Sequence, residues 1–277
     1  MSDGVHGLQQ LSAHRRSLSA WFERPLGRAL LAGEAERLGA ILPKLYGTVA
    51  VQLGRAGKVD LLESCQAPTR LVLDVPYGAP SAARSSVLST LDALPIDQRS
   101  VDVALLPHAL EFAPDPHQVL REVQRVLAPE GHVVILGFNP FSLWGVRKLV
   151  TRRGRRAPWC GQFIGLLRLK DWLKLLGFEL VQGGMLFYRP PVVSQRILDR
   201  LQFLDRMGDR WWPMGGAVYV VVAKKRVVGM TPLRPAWRSS GMLNGTVARP
   251  VAFVANHRSA TIIPWPRRVP RRRSAPR

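Results

Sequence analysis

The chain has 277 residues, 47% of them hydrophobic, and a formal net charge of +21. That length supports a sizeable core, and one large α/β domain with appendages is the expected plan. The longest apolar runs, such as "GGAVYVVVA", are too short to cross a bilayer, and the N-terminus lacks the basic-then-apolar order of a signal peptide, so a cytoplasmic protein with no transmembrane segment is expected.

Two cysteines, Cys65 and Cys160, lie far apart, which gives neither a disulfide framework nor a metal-ligand spacing. Both are read as inert thiols, and no metal site is expected. The charge is uneven. From Lys224 onward there are 13 Lys and Arg and no acid, and the run "RKLVTRRGRR", residues 147–156, carries six more. A core close to neutral remains. Clustered Lys and Arg release counterions from phosphates, so one reading of the basic tail is weak, non-specific contact with RNA or DNA, and the other is a solvated tail without a dedicated partner.

In chain order, residues 1–43 read as a leader of one or two helices, because "SAWFERPLGRALLAGEAERLGAILPKL" places apolar residues at helical spacing. A domain over 44–228 follows. "TVAVQLG" reads as a strand ending in a glycine turn, "KVDLLESC" as a short helix or turn and "RLVLDV" as a second strand, whereas "PYGAPSAARSSVLS" is irregular. "SVDVALLPHAL" is the next strand. "DPHQVLREVQRVLAPEG" is an amphipathic helix, opened by Asp115 and Pro116 and closed by Pro129 and Gly131. "HVVILGFN" is nearly all apolar, the pattern of a strand covered on both faces. "LKDWLKLLGFELVQGGMLFYR" reads helix, turn at Gly177, strand. "VSQRILDRLQFLDRMGDRWW" is a helical insertion, and "GAVYVVVAKKR" is the last strand. Residues 229–277 hold Pro, Arg, Ser and Gly without period and read as a disordered basic tail. Strands alternating with helices predict a Rossmann-like, doubly wound, mostly parallel sheet, with the last pair of strands forming an antiparallel edge.

The segment "LDALPID", "SVDVALL", "HALEFAPDP", "VLREVQRVLAPEG", "HVVILGFN" narrows the choice. These elements, in this order, resemble the second half of the class I S-adenosylmethionine-dependent methyltransferases of the type 11 family. The resemblance implies S-adenosyl-L-methionine as cofactor and a methyl acceptor that the sequence does not identify. It also implies a site on the first strand and turn, although the family's acid and Gly-x-Gly-x-Gly are here Gln52, Gly54, Arg55, Ala56 and Gly57. Gln52 brings a carbonyl acceptor but no charge to the cofactor's ammonium group. Ala56 adds a Cβ where a backbone would approach a ligand closely. Gly54 and Gly57 are either ligand-facing or plain turn glycines.

By the same resemblance Asp74 stands where the family's carboxylate meets the ribose hydroxyls, and Asp92, with Ala93 and Leu94 behind it, either stands beside the adenine or caps a turn through its own backbone. His108, just past the carboxyl end of its strand, either touches a ligand or is a hydrogen-bonded rim histidine. Asp102 is structural. Glu111 reads as a surface charge, His117 as a helix residue, and Tyr46 and His108 as pocket groups able to orient or deprotonate a substrate. The leading expectation is methyl transfer. The alternatives are a degenerate fold serving as a nucleic-acid-binding or scaffold protein, and a nicotinamide-dependent oxidoreductase, which the type 11 motifs disfavour.

Overall fold

A computed structural model describes residues 14–57, 59–74, 86–151, 157–192, 194–212 and 214–226. The chain opens on two helices, α1 (14–22) and α2 (Pro25–Ile41), and Pro25 opens α2 at a position where its missing N–H costs nothing. Strands β1 (Val49–Leu53), β2 (Thr69–Asp74), β3 (Ser86–Leu88) and β4 (Val101–Pro107) come next. Helix α3 (Pro116–Val126) leads into β5 (Leu127–Phe138), α4 (Leu143–Val150), α5 (Leu166–Leu175) and β6 (Phe178–Leu186). Two short helices, α6 (Gln195–Arg200) and α7 (Phe203–Trp211), precede β7 (Val218–Lys225).

The described strands form one seven-stranded sheet in the order β3-β2-β1-β4-β5-β7-β6. It is parallel from β3 to β5, and β7 runs antiparallel to both of its neighbours. The antiparallel strand therefore lies one place in from the edge, with β6 outside it. The near-continuous apolar runs of β4, β5 and β7 follow from cover on both faces. Val134, Leu136, Phe138, Val218 and Val220 point into one core with Leu18, Trp21, Phe22 and Leu30 of the first two helices. Val133, Ile135, Tyr219 and Val221 point into the other, with Val119 and Val123 of α3 and Leu169 and Leu173 of α5.

The leader thus forms one cover of the sheet, because its apolar stripe has no other surface to bury against. Helix α3 is capped as its sequence predicts: the Asp115 carboxylate accepts from the N–H groups of His117 and Gln118. It ends earlier than expected, at Val126. Leu127 to Gly131 already belong to β5, because Leu127 pairs with Val101 ahead of an irregularity in the ladder. Lys225, nearly buried, donates to the carbonyls of Gln124 and Leu127 and so closes the C-terminal turn of α3. The segment "KVDLLESC" is a set of turns in its described residues, not a helix. The "RRGRR" run at 152–156 and the tail from 227 lie outside the described residues, as do the irregular residues 75–85.

Candidate functional site

In a parallel sheet the loops at the carboxyl ends of the strands form the natural ligand edge. At that edge β1 ends in Gln52, fully buried, and Leu53, and the chain turns at Gly54 with φ +85°. The Gly54 N–H donates to Leu73 O of β2 at 2.7 Å, while Gln52 Nε2 donates to Gly54 O at 2.9 Å. Gln52 therefore staples the turn from within. Its Oε1 has no hydrogen-bond partner among the described residues.

Arg15 of α1 closes the turn from above. It is 1% exposed, and a Cβ built on Gly54 would lie 1.4 Å from its Nη2, so no other residue than glycine admits this arrangement. Arg15 Nη1 reaches His108 O at 3.4 Å and Nε stands 3.9 Å from Asp74 Oδ1 at the end of β2. Nε and Nη2 have no hydrogen-bond partner among the described residues. Gly57, also at positive φ, +67°, faces Leu31 and Phe22, and Ala56 is fully buried in the core beneath α1 and α2. The Ala56 methyl is thus core packing, which corrects the expectation that it faces a ligand.

His108 lies at the end of β4 with φ +49°, fully buried, stacked on Phe138 at 4.2 Å. Its Nε2 donates to Glu34 of α2 at 2.8 Å and its Nδ1 lies 3.3 Å from Glu111. Burial works against the charged ring, but the two carboxylates outweigh it and raise the pKa to about 10, so the ring is an imidazolium at neutral pH. With both nitrogens engaged it is neither a rim histidine nor a free base for a substrate. Glu111 is buried rather than a surface charge and also accepts from the Phe138 N–H.

Asp92 and Ala93 are exposed, and Leu94 is buried. Their loop is tied to α3: Gln118 donates to Asp92 O, Leu94 N–H donates to Glu122, and Arg125 donates to Leu94 O and Ile96 O. The Arg125 hydrogen bond, working against partial burial, holds the Glu122 carboxyl below its usual range. Asp102 accepts from the Thr48 N–H and hydroxyl and the Val49 N–H, a structural clamp at the opposite edge of the sheet. Tyr46 is 78% exposed just ahead of that edge, which removes it from the pocket. Trp212 is exposed, and Cys65 is buried. A separate cleft of about 750 Å³ lies between α2 and the end of β6, beside Arg37, Tyr188 and Asp205, and none of the expected site residues lines it.

Arg15 and Glu34 carry no signal in the sequence beyond their helical setting, where polar residues ordinarily mark the solvent face. The structure brings Gln52, Gly54, Asp74 and His108 together with them, and leaves Asp92 and Ala93 at the surface beside the cluster.

Residues 74–135 match the family described as "Methyltransferase domain". The chain is 30% identical over 211 residues to the uncharacterized protein YafS of Escherichia coli, covering 76% of this chain and 82% of that protein. The chain belongs to the same family as YafS and carries a methyltransferase domain. The chain is also 30% identical over 89 residues to a demethylmenaquinone methyltransferase of Chlamydia pneumoniae, covering 31% of this chain and 38% of that one. Against an uncharacterized protein of Mycobacterium bovis, also 30% identical, it spans 62% of the relative's length. Among solved structures it shares its fold with an S-adenosylmethionine-dependent methyltransferase of Thermotoga maritima, at TM-score 0.57, 16% identity, and 79% and 99% coverage of the two chains. Another of Archaeoglobus fulgidus matches at TM-score 0.50, 18% identity, and 72% and 94% coverage.

Proposed function

We propose that the chain is an S-adenosyl-L-methionine-dependent methyltransferase whose cofactor sits on the Gly54 turn. The observation that carries this reading is the pair of open, buried polar groups flanking that turn: an acceptor, Gln52 Oε1, and donors, Arg15 Nε and Nη2. An unmade hydrogen bond at a buried polar atom is costly, so such atoms mark places built for a partner. An amino-acid zwitterion matches both, its ammonium donating to Gln52 and its carboxylate accepting from Arg15. In this reading Asp74, at the end of β2, takes the ribose hydroxyls. The buried cluster also holds three carboxylates, Glu34, Asp74 and Glu111, against two cations, Arg15 and the His108 imidazolium, which favours a ligand of net positive charge.

When bound, the cofactor supplies a methyl group on a sulfonium sulfur, already activated for transfer. The protein then has to hold the acceptor in line and exclude water. Arg15, Gln52 and Gly54 bind and orient, the α3 tether holds the Asp92 loop, and the Glu34–His108–Glu111 chain fixes the floor without moving a proton. Acceptor deprotonation is not assigned to His108. The test is a thermal melt with S-adenosylhomocysteine, because a ligand that binds only the folded state stabilises it by RT ln(1 + [L]/Kd) and so raises Tm. The wild-type Tm is expected to rise with ligand and that of Asp74→Ala to rise much less. Equal rises in both proteins would remove the site from this edge, and no rise in either would favour a fold that has lost cofactor binding.

A further inference from the structure

The Gly54 turn is closed to solvent. Arg15, Gln52, Asp74 and His108 around it are each 5% exposed or less, and Gly54 itself is buried. The Arg15 guanidinium lies directly on the turn, so close that a Cβ on Gly54 would collide with Nη2. A nucleoside carrying an amino acid needs that room, because close-packed protein interiors hold few voids larger than a water molecule. Its entry therefore requires the guanidinium, and the stretch of α1 that carries it, to move aside first.

Helix α1 is held unevenly along its length. Its second half is anchored by aromatic packing: Trp21 stands edge-on to Phe22, Phe138 and Trp144, and the Phe22 ring lies 5.7 Å from that of His108. The elbow into α2 is rigid too, since Gly27 packs so tightly under the Trp21 carbonyl that a Cβ there would collide with it. The first half is held far less. Over residues 14–18 the one buried apolar side chain is Leu18, while His14 and Arg16 are exposed. The described polar ties of this half are long: Arg15 Nη1 to His108 O at 3.4 Å, Arg15 Nε to Asp74 Oδ1 at 3.9 Å, and the Ala157 N–H to Ser17 Oγ at 3.2 Å. A segment with so few contacts opens locally at a fraction of the cost of global unfolding. Motion thus falls on residues 14–18, with Trp21 and Phe22 staying in place.

We propose that residues 14–18 of α1 are a gate over the cofactor turn, which opens to admit ligand and closes again with Arg15 on the ligand's carboxylate. The gate rests on the function proposed above. Because the helix is closed both with and without ligand, loosening it speeds entry and exit together and leaves affinity unchanged, which a residue acting only by ligand contact does not do. Rapid filtration of the full chain with tritium-labelled S-adenosyl-L-methionine counts bound ligand over time, for the wild type and for Leu18→Ala and Ser17→Ala, each shown to be folded by its melt. The wild-type rate is expected to level off as ligand rises, because opening precedes binding. Leu18→Ala is expected to raise association and dissociation rates alike by about tenfold or more, since the loss at a buried leucine falls on the closed state in both cases. Ser17→Ala leaves the core intact and is expected to raise both rates about two- to fivefold, the worth of one hydrogen bond; it decides alone if Leu18→Ala does not fold. The gate is overturned if the wild-type rate climbs linearly up to millimolar ligand, if the folded variants bind and release at wild-type rates, or if either changes Kd without changing the association rate. Each of these results leaves the proposed function standing. A wild type that takes up no label overturns that function and the gate together.

Discussion

Gln52 can both donate to the carbonyl of its own turn and accept from a ligand, whereas a carboxylate at the end of β1 could only accept. The exchange of an acid for an amide thus trades a negative charge for a stapled turn, and Arg15, from a different element, brings a positive charge suited to a ligand carboxylate. Arg15→Met is expected to weaken S-adenosylhomocysteine binding by about 1.5–3 kcal/mol, the range for a hydrogen bond to a charged group, in a calorimetric titration of the folded variant. Tighter binding in Arg15→Met would identify the guanidinium as a plug instead. The Glu34–His108 pair gives a second test at this scale. Removing one partner of a buried charged pair costs about 3–5 kcal/mol, so Glu34→Gln is expected to lower stability in urea by that order. The folded-state pKa of His108 is raised, so its contribution is fully present below pH 6.5 and is lost as pH rises through about 10. Wild-type stability is expected to fall across that window, and His108→Gln to flatten the fall.

Among the elements, α3, β4 and β5 were legible in the sequence because each carries its own signal: a cap at Asp115, a helical apolar stripe, and a run of apolar residues that only a doubly covered strand tolerates. Helices α1 and α2 were legible as helices but not as parts of the site. Periodicity shows which face is buried and not what it is buried against, and neither Arg15 nor Glu34 differs in sequence from a solvent-facing residue. The same limit applied to Ala56, which resembles a defect in a glycine motif and is a core methyl. It applied again to Glu111, whose burial depends on β5 passing over it. Because Leu18, Trp21 and Phe22 are buried in the sheet's cover, deleting residues 1–22 removes about 1.5–3 kcal/mol for each. A circular-dichroism melt of that truncation is expected to show no cooperative transition, since the loss approaches the whole margin of about 5–15 kcal/mol for a domain. A melt like that of the full chain would mean that the leader is an appendage after all.

At the scale of the whole molecule, every residue assigned to the cofactor lies in the compact unit that ends at Gly229. A chain ending at Gly229 is therefore expected to keep both its Tm and its affinity for S-adenosylhomocysteine, measured by melting with and without the ligand. The order of strands was only partly legible. Alternating strands and helices predict the parallel sheet, but nothing local in "GAVYVVVAKKR" says that it inserts between β5 and β6 rather than closing the edge. On the proposed function, the Gly54 turn, stapled by Gln52 and flanked by Arg15, receives S-adenosyl-L-methionine. Isothermal titration of the full chain with S-adenosyl-L-methionine tests it most directly. One site per chain is expected, with a Kd of about 1 μM–1 mM, the range in which enzymes usually engage their substrates. Absence of binding heat with millimolar ligand, in protein shown to be folded by its melt, would contradict it.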